Sequence, residues 1–147
     1  MIDFDFRPAT PGDFDFLFSL KKNAEYEAIK AVFGWDKEVQ QRIHHEEWQE
    51  DQPTIVTVGG QPAGSFLLQD KGEHLYFCRF FLLARYHGKG MGSKILQYCI
   101  ELADAQRKPI QLCYLQGNRV GSLYQRFGFQ FTSEDNAFVY MEREPLI

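Results

Sequence analysis

Two stretches of the chain carry residue types at spacings that suit chemistry. The first is His87-Gly88-Lys89-Gly90-Met91-Gly92-Ser93, directly after the long apolar run Leu75 to Leu83. Glycines let a chain turn sharply and let N–H groups come close to a ligand. A helix opening just behind them adds unpaired amides and the positive end of its dipole. Together these favour a phosphate or pyrophosphate. Two common nucleotide motifs fail on spacing. A P-loop needs a glycine five residues before Gly88, where Leu83 stands, and Ser or Thr after Lys89, where Gly90 stands. The dinucleotide fingerprint needs Gly or Ala three residues past its second glycine, and Ser93 or Ile95 occupies that place. The second stretch is Asn118-Arg-Val-Gly-Ser-Leu-Tyr124-Gln-Arg-Phe-Gly128-Phe129. Asn118 suits a helix N-cap. Tyr124 shares an apolar helix face with Val120, Leu123 and Phe127 and brings a phenol to it.

Other residue types offer less. His44-His45-Glu46-Glu47 lacks metal-ligand spacing, because neighbours on a helix point about 100° apart; it reads as a solvated helix face, with no metal expected. Cys78, Cys99 and Cys113 have no Cys-x-x-Cys spacing, and two lie in strongly apolar segments. They read as reduced core thiols of a cytoplasmic protein. The formal net charge of −4 argues against a general nucleic-acid binder, and no apolar run is long enough for a membrane span. The acidic, alternating N-terminus does not read as a signal or transit peptide, and none is expected. The charge is uneven: residues 1–74 sum to −7 and residues 75–147 to +3. Such a split suits two ligands of opposite sign.

The elements that must position these residues can be read from the pattern. At 147 residues, one domain is expected, and 44% apolar content with 16% aromatic rings supplies a real core. Ile2–Arg7 alternates as a strand. Thr10-Pro11-Gly12-Asp13 opens a helix through about Lys22, and residues 24–50 form more helix broken near Gly34. Thr54–Val58, the Gly59-Gly60 turn, Ala63–Gln69 and Leu75–Leu83 make an antiparallel meander. A helix from about Ser93 to Gln106 then leads to strand Ile110–Leu115. Strand, crossover helix and strand imply a parallel pair. A last helix stops at Gly128, and Phe129–Thr132 with Ala137–Glu142 closes the sheet.

Arg85-x-x-Gly88-x-Gly90 after a long strand resembles the first motif of the GNAT family of N-acetyltransferases, which holds the pyrophosphate of acetyl-CoA. His87 stands where that family often has Arg. The Asn118–Phe129 stretch is similar to the same family's later motif, and the order of elements agrees along nearly the whole chain. The resemblance implies a single α/β domain over 1–147: a mixed, mostly antiparallel sheet with a splayed parallel strand pair, flanked by helices. It implies acceptor-side helices over about 10–50 and an acetyl-CoA-binding core over about 53–132. It further implies transfer of an acetyl group to a primary amine by direct attack on the thioester, with acetyl-CoA as co-substrate and no metal.

Residue by residue, the resemblance places the cofactor against Leu82, Leu83, His87, Gly88, Lys89, Gly90, Met91, Gly92, Ser93, Asn118 and Tyr124. Backbone N–H groups of Leu82 and Leu83 would meet the pantetheine and thioester, and Tyr124 would protonate the leaving thiolate. His74, near the start of the long strand, titrates near neutrality and is the candidate base. Tyr26 and Trp35, with Phe33 and Asp36 around the break at Gly34, are expected to line the acceptor site. The expected partner is a small-molecule or peptide amine, with a homodimer open as an arrangement. A CoA-binding sensor or interaction module without turnover, and a transferase for longer acyl chains, are the alternatives.

Overall fold

The computed structural model describes residues 2–146. Gly59 and Gly60 carry φ of 59° and 80°, the left-handed pair that a tight hairpin needs, and they join β2 (Thr54–Val58) to β3 (Gln61–Asp70). The turn around Gly72 leads into β4 (Leu75–Leu82), and β1 (Asp5–Pro8) pairs with β2 on the other side. β5 (Ile110–Leu115), β6 (Gln130–Glu134) and β7 (Phe138–Arg143) complete one seven-stranded sheet of order β1-β2-β3-β4-β5-β7-β6. All ladders are antiparallel except β4 with β5. That parallel pair has only two registered positions, Leu75 with Ile110 and Tyr76 with Gln111. Beyond them the strands part, giving the splayed pair.

Four helices cover the sheet: α1 (Phe14–Phe33), α2 (Lys37–Glu50), α3 (Met91–Gln106) and the short α4 (Gly121–Arg126). The helix expected to stop near Lys22 runs on to Phe33, since no Gly or Pro interrupts residues 14–33. Gly34 then ends it. α3 is the crossover between β4 and β5. Its Ile95, Leu96, Cys99 and Ala103 are fully buried against Leu75, Phe77, Ile110 and Leu112. α1 lies across β3, β4 and β5 on the opposite face. No helix among the described residues is long and apolar enough to cross a membrane. Burial pushes the Cys78 and Cys99 thiols up to about 12, so neither is a nucleophile at neutral pH.

Two polar clasps shape this frame. β4 carries a kink at Arg79, whose φ of 51° lies in the left-handed region, opposite a register shift on β3 between Ser65 and Leu67. The kink is held from both sides. Ser65 donates its hydroxyl to Arg79 O at 2.8 Å. The Arg79 guanidinium donates to Glu47 O and Asp51 O at 3.1 and 2.7 Å and pairs with Glu47 Oε2 at 3.4 Å.

The second clasp ties β1 to the entry of α1. Arg7 donates to both Asp13 oxygens at 2.7 and 2.9 Å, and the Thr10 N–H and hydroxyl add bonds at 2.8 and 3.1 Å. The Arg7 guanidinium, foremost among these donors, holds the buried Asp13 carboxyl down at about 2. A depressed carboxylate stabilises the fold above its unfolded value near 4, and that stability disappears as pH falls toward 2. Asp13→Asn is expected to cost about 1–2 kcal/mol at pH 7, allowing for solvent around the half-exposed Arg7. Urea denaturation checks this: the gap between the two proteins should narrow as the pH is lowered from about 4 to about 2.

Candidate active site

The glycine loop leaves β4 through a short helical turn at Ala84–Tyr86. Tyr86 N–H bonds Leu83 O and His87 N–H bonds Ala84 O, at 2.9 and 3.0 Å. Gly88 and Gly90 then take φ of 70° and 82°, and a Cβ placed on either would meet nothing within 4 Å. The space above them is open, so a ligand can reach the backbone itself. Lys94 N–H is the first amide of α3 to bond back, to Gly90 O at 3.2 Å. Among the described residues no main-chain acceptor is found for the amides of Met91, Gly92 and Ser93, at the positive end of a sixteen-residue helix. Lys89 is exposed at the rim. The Met91 side chain is buried in the core, so only its amide belongs to the loop surface. These groups fit a pyrophosphate.

Where β4 and β5 part, β4 presents a free edge. Leu82 lies opposite Gly64 of β3. Leu83 N–H, however, is bonded to Ala63 O at 2.8 Å. That corrects the expectation for Leu83: its amide belongs to the ladder with β3 and is not available to a thioester. By the alternation of an antiparallel strand, Leu82 N–H turns the other way, into the gap left by β5. His87 does make a side-chain contact. Its Nε2–H donates to Leu82 O at 2.8 Å, fixing the loop on the end of the strand.

Tyr124 stands on α4, against residues of both parting strands. Its ring is 7% exposed and packs among Phe129, Tyr114 and Phe77, with centroids 5.7, 6.1 and 6.5 Å away. No hydrogen bond to its hydroxyl is found among the described residues. Burial, and next the charge of Glu25, pushes this phenol above its ordinary value, so it stays protonated at neutral pH. Asn118 is placed differently from expectation. Val120, not Asn118, is the residue before α4. The Asn118 side-chain oxygen accepts from Val120 N–H at 3.2 Å, shaping the turn that delivers the helix to the gap.

The remaining expectations divide. His74 precedes the first residue of β4, in a turn where its carbonyl accepts from Lys71 N–H at 2.9 Å. It therefore lies at the closed end of the β4–β5 pair, about 25 Å along the strand from Leu82. The structure does not bring it to Tyr124. Tyr26 and Trp35 do meet, with centroids 5.0 Å apart, and join α1 to the loop before α2. Lys22 and Lys30 sit over these rings at 5.7 and 5.8 Å, on the outer flank of α1. Phe33 is 61% exposed and lies 6.2 Å from Phe138, at the rim. His44 is buried and donates to Phe14 O at 2.8 Å, while His45 is exposed, so the two do not converge.

One half-buried carboxylate of α1, Glu25, was not singled out from the sequence. Leu17, Lys21, Glu25 and Ile29 follow at four-residue spacing along one helix face. Leu17 and Ile29 are buried there, and Glu25 between them is half-buried. The available signal was this single carboxylate inside an otherwise packed stripe. Lys21 bonds Glu47 of α2 at 3.0 Å, which in turn meets Arg79.

Comparison with known proteins agrees with this geometry. The family model described as acetyltransferase (GNAT) domain matches residues 20–141. A spermine/spermidine N(1)-acetyltransferase of Bacillus subtilis is 43% identical over 68 residues, 44% of this chain and 45% of that protein. The matched stretch thus spans less than half of that relative's length. Among solved structures, a PaiA N-acetyltransferase of Thermoplasma acidophilum in complex with coenzyme A superposes with a TM-score of 0.75 at 16% identity, over 97% of this chain and 99% of that one. An acetyltransferase of Thermus thermophilus superposes with a TM-score of 0.74 at 15% identity, over 98% and 99%. With the domain match extending over most of its length and the fold shared from end to end, this chain belongs to the GNAT acetyltransferase family.

Proposed function

We propose that this protein transfers an acetyl group from acetyl-CoA to a primary amine of a small polycation of the polyamine class. The observation that carries the reading is the gap itself. β4 and β5 part beyond Tyr76, and the open glycine turn that starts α3 follows the end of β4; on this reading Leu82 would form one wall of the gap and Tyr124 the other. The Met91, Gly92 and Ser93 amides would hold the pyrophosphate, with Lys89 adding charge at the rim. Leu82 N–H would meet the thioester oxygen as negative charge develops there. Tyr124, kept protonated by its surroundings, would supply the proton that the departing sulfur needs.

The acceptor class rests on two supports. The matched stretch of the Bacillus subtilis relative belongs to a protein named for spermine and spermidine. The half of the chain that carries α1 and α2 has a net charge of −7, which attracts polycations. Tyr26 and Trp35 would border that approach, and the reading places the protein in the cytoplasm with its co-substrate. A panel of amines, assayed by release of free CoA thiol, tests the proposal. Linear polyamines should give turnover, and acetyl-CoA at about a hundredfold excess over Kd should raise Tm by about 5–10 °C. Absence of any Tm shift at saturation would remove the co-substrate assignment.

A further inference from the structure

We infer that Arg79 is a positioning residue for acetyl transfer. Its guanidinium holds an extra residue in β4, and that residue turns the Leu82 N–H, in place of the Leu83 N–H, away from β3. The inference rests on the acetyltransferase reading, in which Leu82 N–H meets the thioester oxygen.

The main-chain bonds carry the argument. At the root of β4, Lys71 N–H bonds His74 O and Leu75 N–H bonds Pro109 O, both at 2.9 Å. Even-numbered residues of β4 there turn their main-chain groups toward β3, and odd-numbered ones toward β5. In that register Leu67 lies opposite Cys78, and the same register carried onward would set Ala63 opposite Leu82. The ladder instead sets Gly64 opposite Leu82. One extra residue has entered β4 between Cys78 and Phe81, and the alternation reverses. Leu83 N–H therefore bonds Ala63 O, and the even-numbered Leu82 faces away from β3.

Arg79 stands in the inserted stretch. Its φ of 51° is the conformation that such a bulge ordinarily gives to glycine. A side chain disfavours it, so neighbouring contacts must impose it. The buried Ser65 donates its hydroxyl to Arg79 O from β3. The guanidinium donates to Glu47 O and Asp51 O, carbonyls at the negative end of α2. Glu47 pairs with Arg79 on one side and with Lys21 of α1 on the other. The extra residue is thus tied to β3 through its carbonyl and to both helices of that face through its side chain. Freed from the clamp, β4 can slip by one residue, and a slip by one returns the Leu82 N–H to β3.

The test compares wild type with Arg79→Met, which keeps a long side chain and the same backbone strain but has no donors. Three quantities are measured: thiol release with a linear polyamine, a thermal melt as a check on folding, and the infrared carbonyl stretch of bound acetyl-CoA isotopically labelled at its thioester carbonyl. In Arg79→Met, kcat should fall on the order of 100-fold. The KM for acetyl-CoA should change by less than about threefold, since the glycine loop is untouched. In wild type the labelled stretch should move to lower frequency on binding, as a donated hydrogen bond requires, and in Arg79→Met that shift should be lost. An unchanged kcat, a rise in KM with kcat intact, a lowered kcat with the carbonyl shift preserved, or a working wild type with no carbonyl shift would each overturn the assignment while leaving the transferase reading in place. A wild type that releases no thiol with any amine would overturn both. Should Arg79→Met fail to fold, Ser65→Ala loosens the same residue from β3. It should lower kcat by about tenfold and weaken the carbonyl shift with it, and no change in either would count against the role.

Discussion

Tyr124→Phe is expected to lower kcat on the order of 100-fold while the acetyl-CoA-induced rise in Tm stays as it is in the wild type. The reasoning starts from packing. The ring is held by Phe129, Tyr114 and Phe77, and phenylalanine keeps every one of those contacts. The hydroxyl has no partner among the described residues, so its removal breaks no hydrogen bond and leaves no group unsatisfied. The substitution therefore removes a proton and little else. An acid acting only on the departing sulfur appears in kcat, not in ground-state binding. The measurement is steady-state kinetics beside a thermal melt. An unchanged kcat would reduce Tyr124 to a core ring.

Gly90→Asp should weaken acetyl-CoA binding on the order of 100-fold, about 3 kcal/mol. A carboxylate there would stand beside the bound phosphates, and like charges about 5 Å apart at a protein surface repel by about 3 kcal/mol. Crowding is not the cause, since a Cβ at Gly90 meets nothing within 4 Å. The φ of 82° is a strain that Asp tolerates better than most residues. Gly90→Ala separates the two effects: it bears the strain without the charge and should lose about tenfold or less. Isothermal titration at two salt concentrations completes the argument, because the aspartate's deficit should contract as screening increases.

The frame was legible because its signals are local. Gly59-Gly60, the β-branched run from Thr54 to Val58 and the spacing of Ile95, Leu96, Cys99 and Ala103 each specify an element within a few residues. The glycine loop was legible for the same reason, as its chemistry resides in the backbone. What was not legible depends on distant pairing. Only the ladder reveals that Ala63 O claims the Leu83 amide. Only the direction of β4 reveals that His74 ends up far from Tyr124. Glu25 needed the packing of α1 to distinguish it from the other acidic residues of the first half.

The seam between β4 and β5 has a mechanical meaning. Two ladder positions at Leu75 and Tyr76 close one end, and Leu75 N–H adds a bond to Pro109 O at 2.9 Å. Past them, no ladder between the two strands is found among the described residues, and the two sub-sheets are joined through side chains, those of α3 on one face and of α1 on the other. The seam is stiff at its root and compliant at its mouth, like a clothes-peg whose spring is the α3 core. The mouth can widen or narrow without sacrificing a single ladder bond. Its resting aperture therefore depends on the volumes of residues such as Ile95 and Ile110, so a core substitution outside the glycine loop and the Tyr124 ring cluster can alter how tightly ligands are gripped.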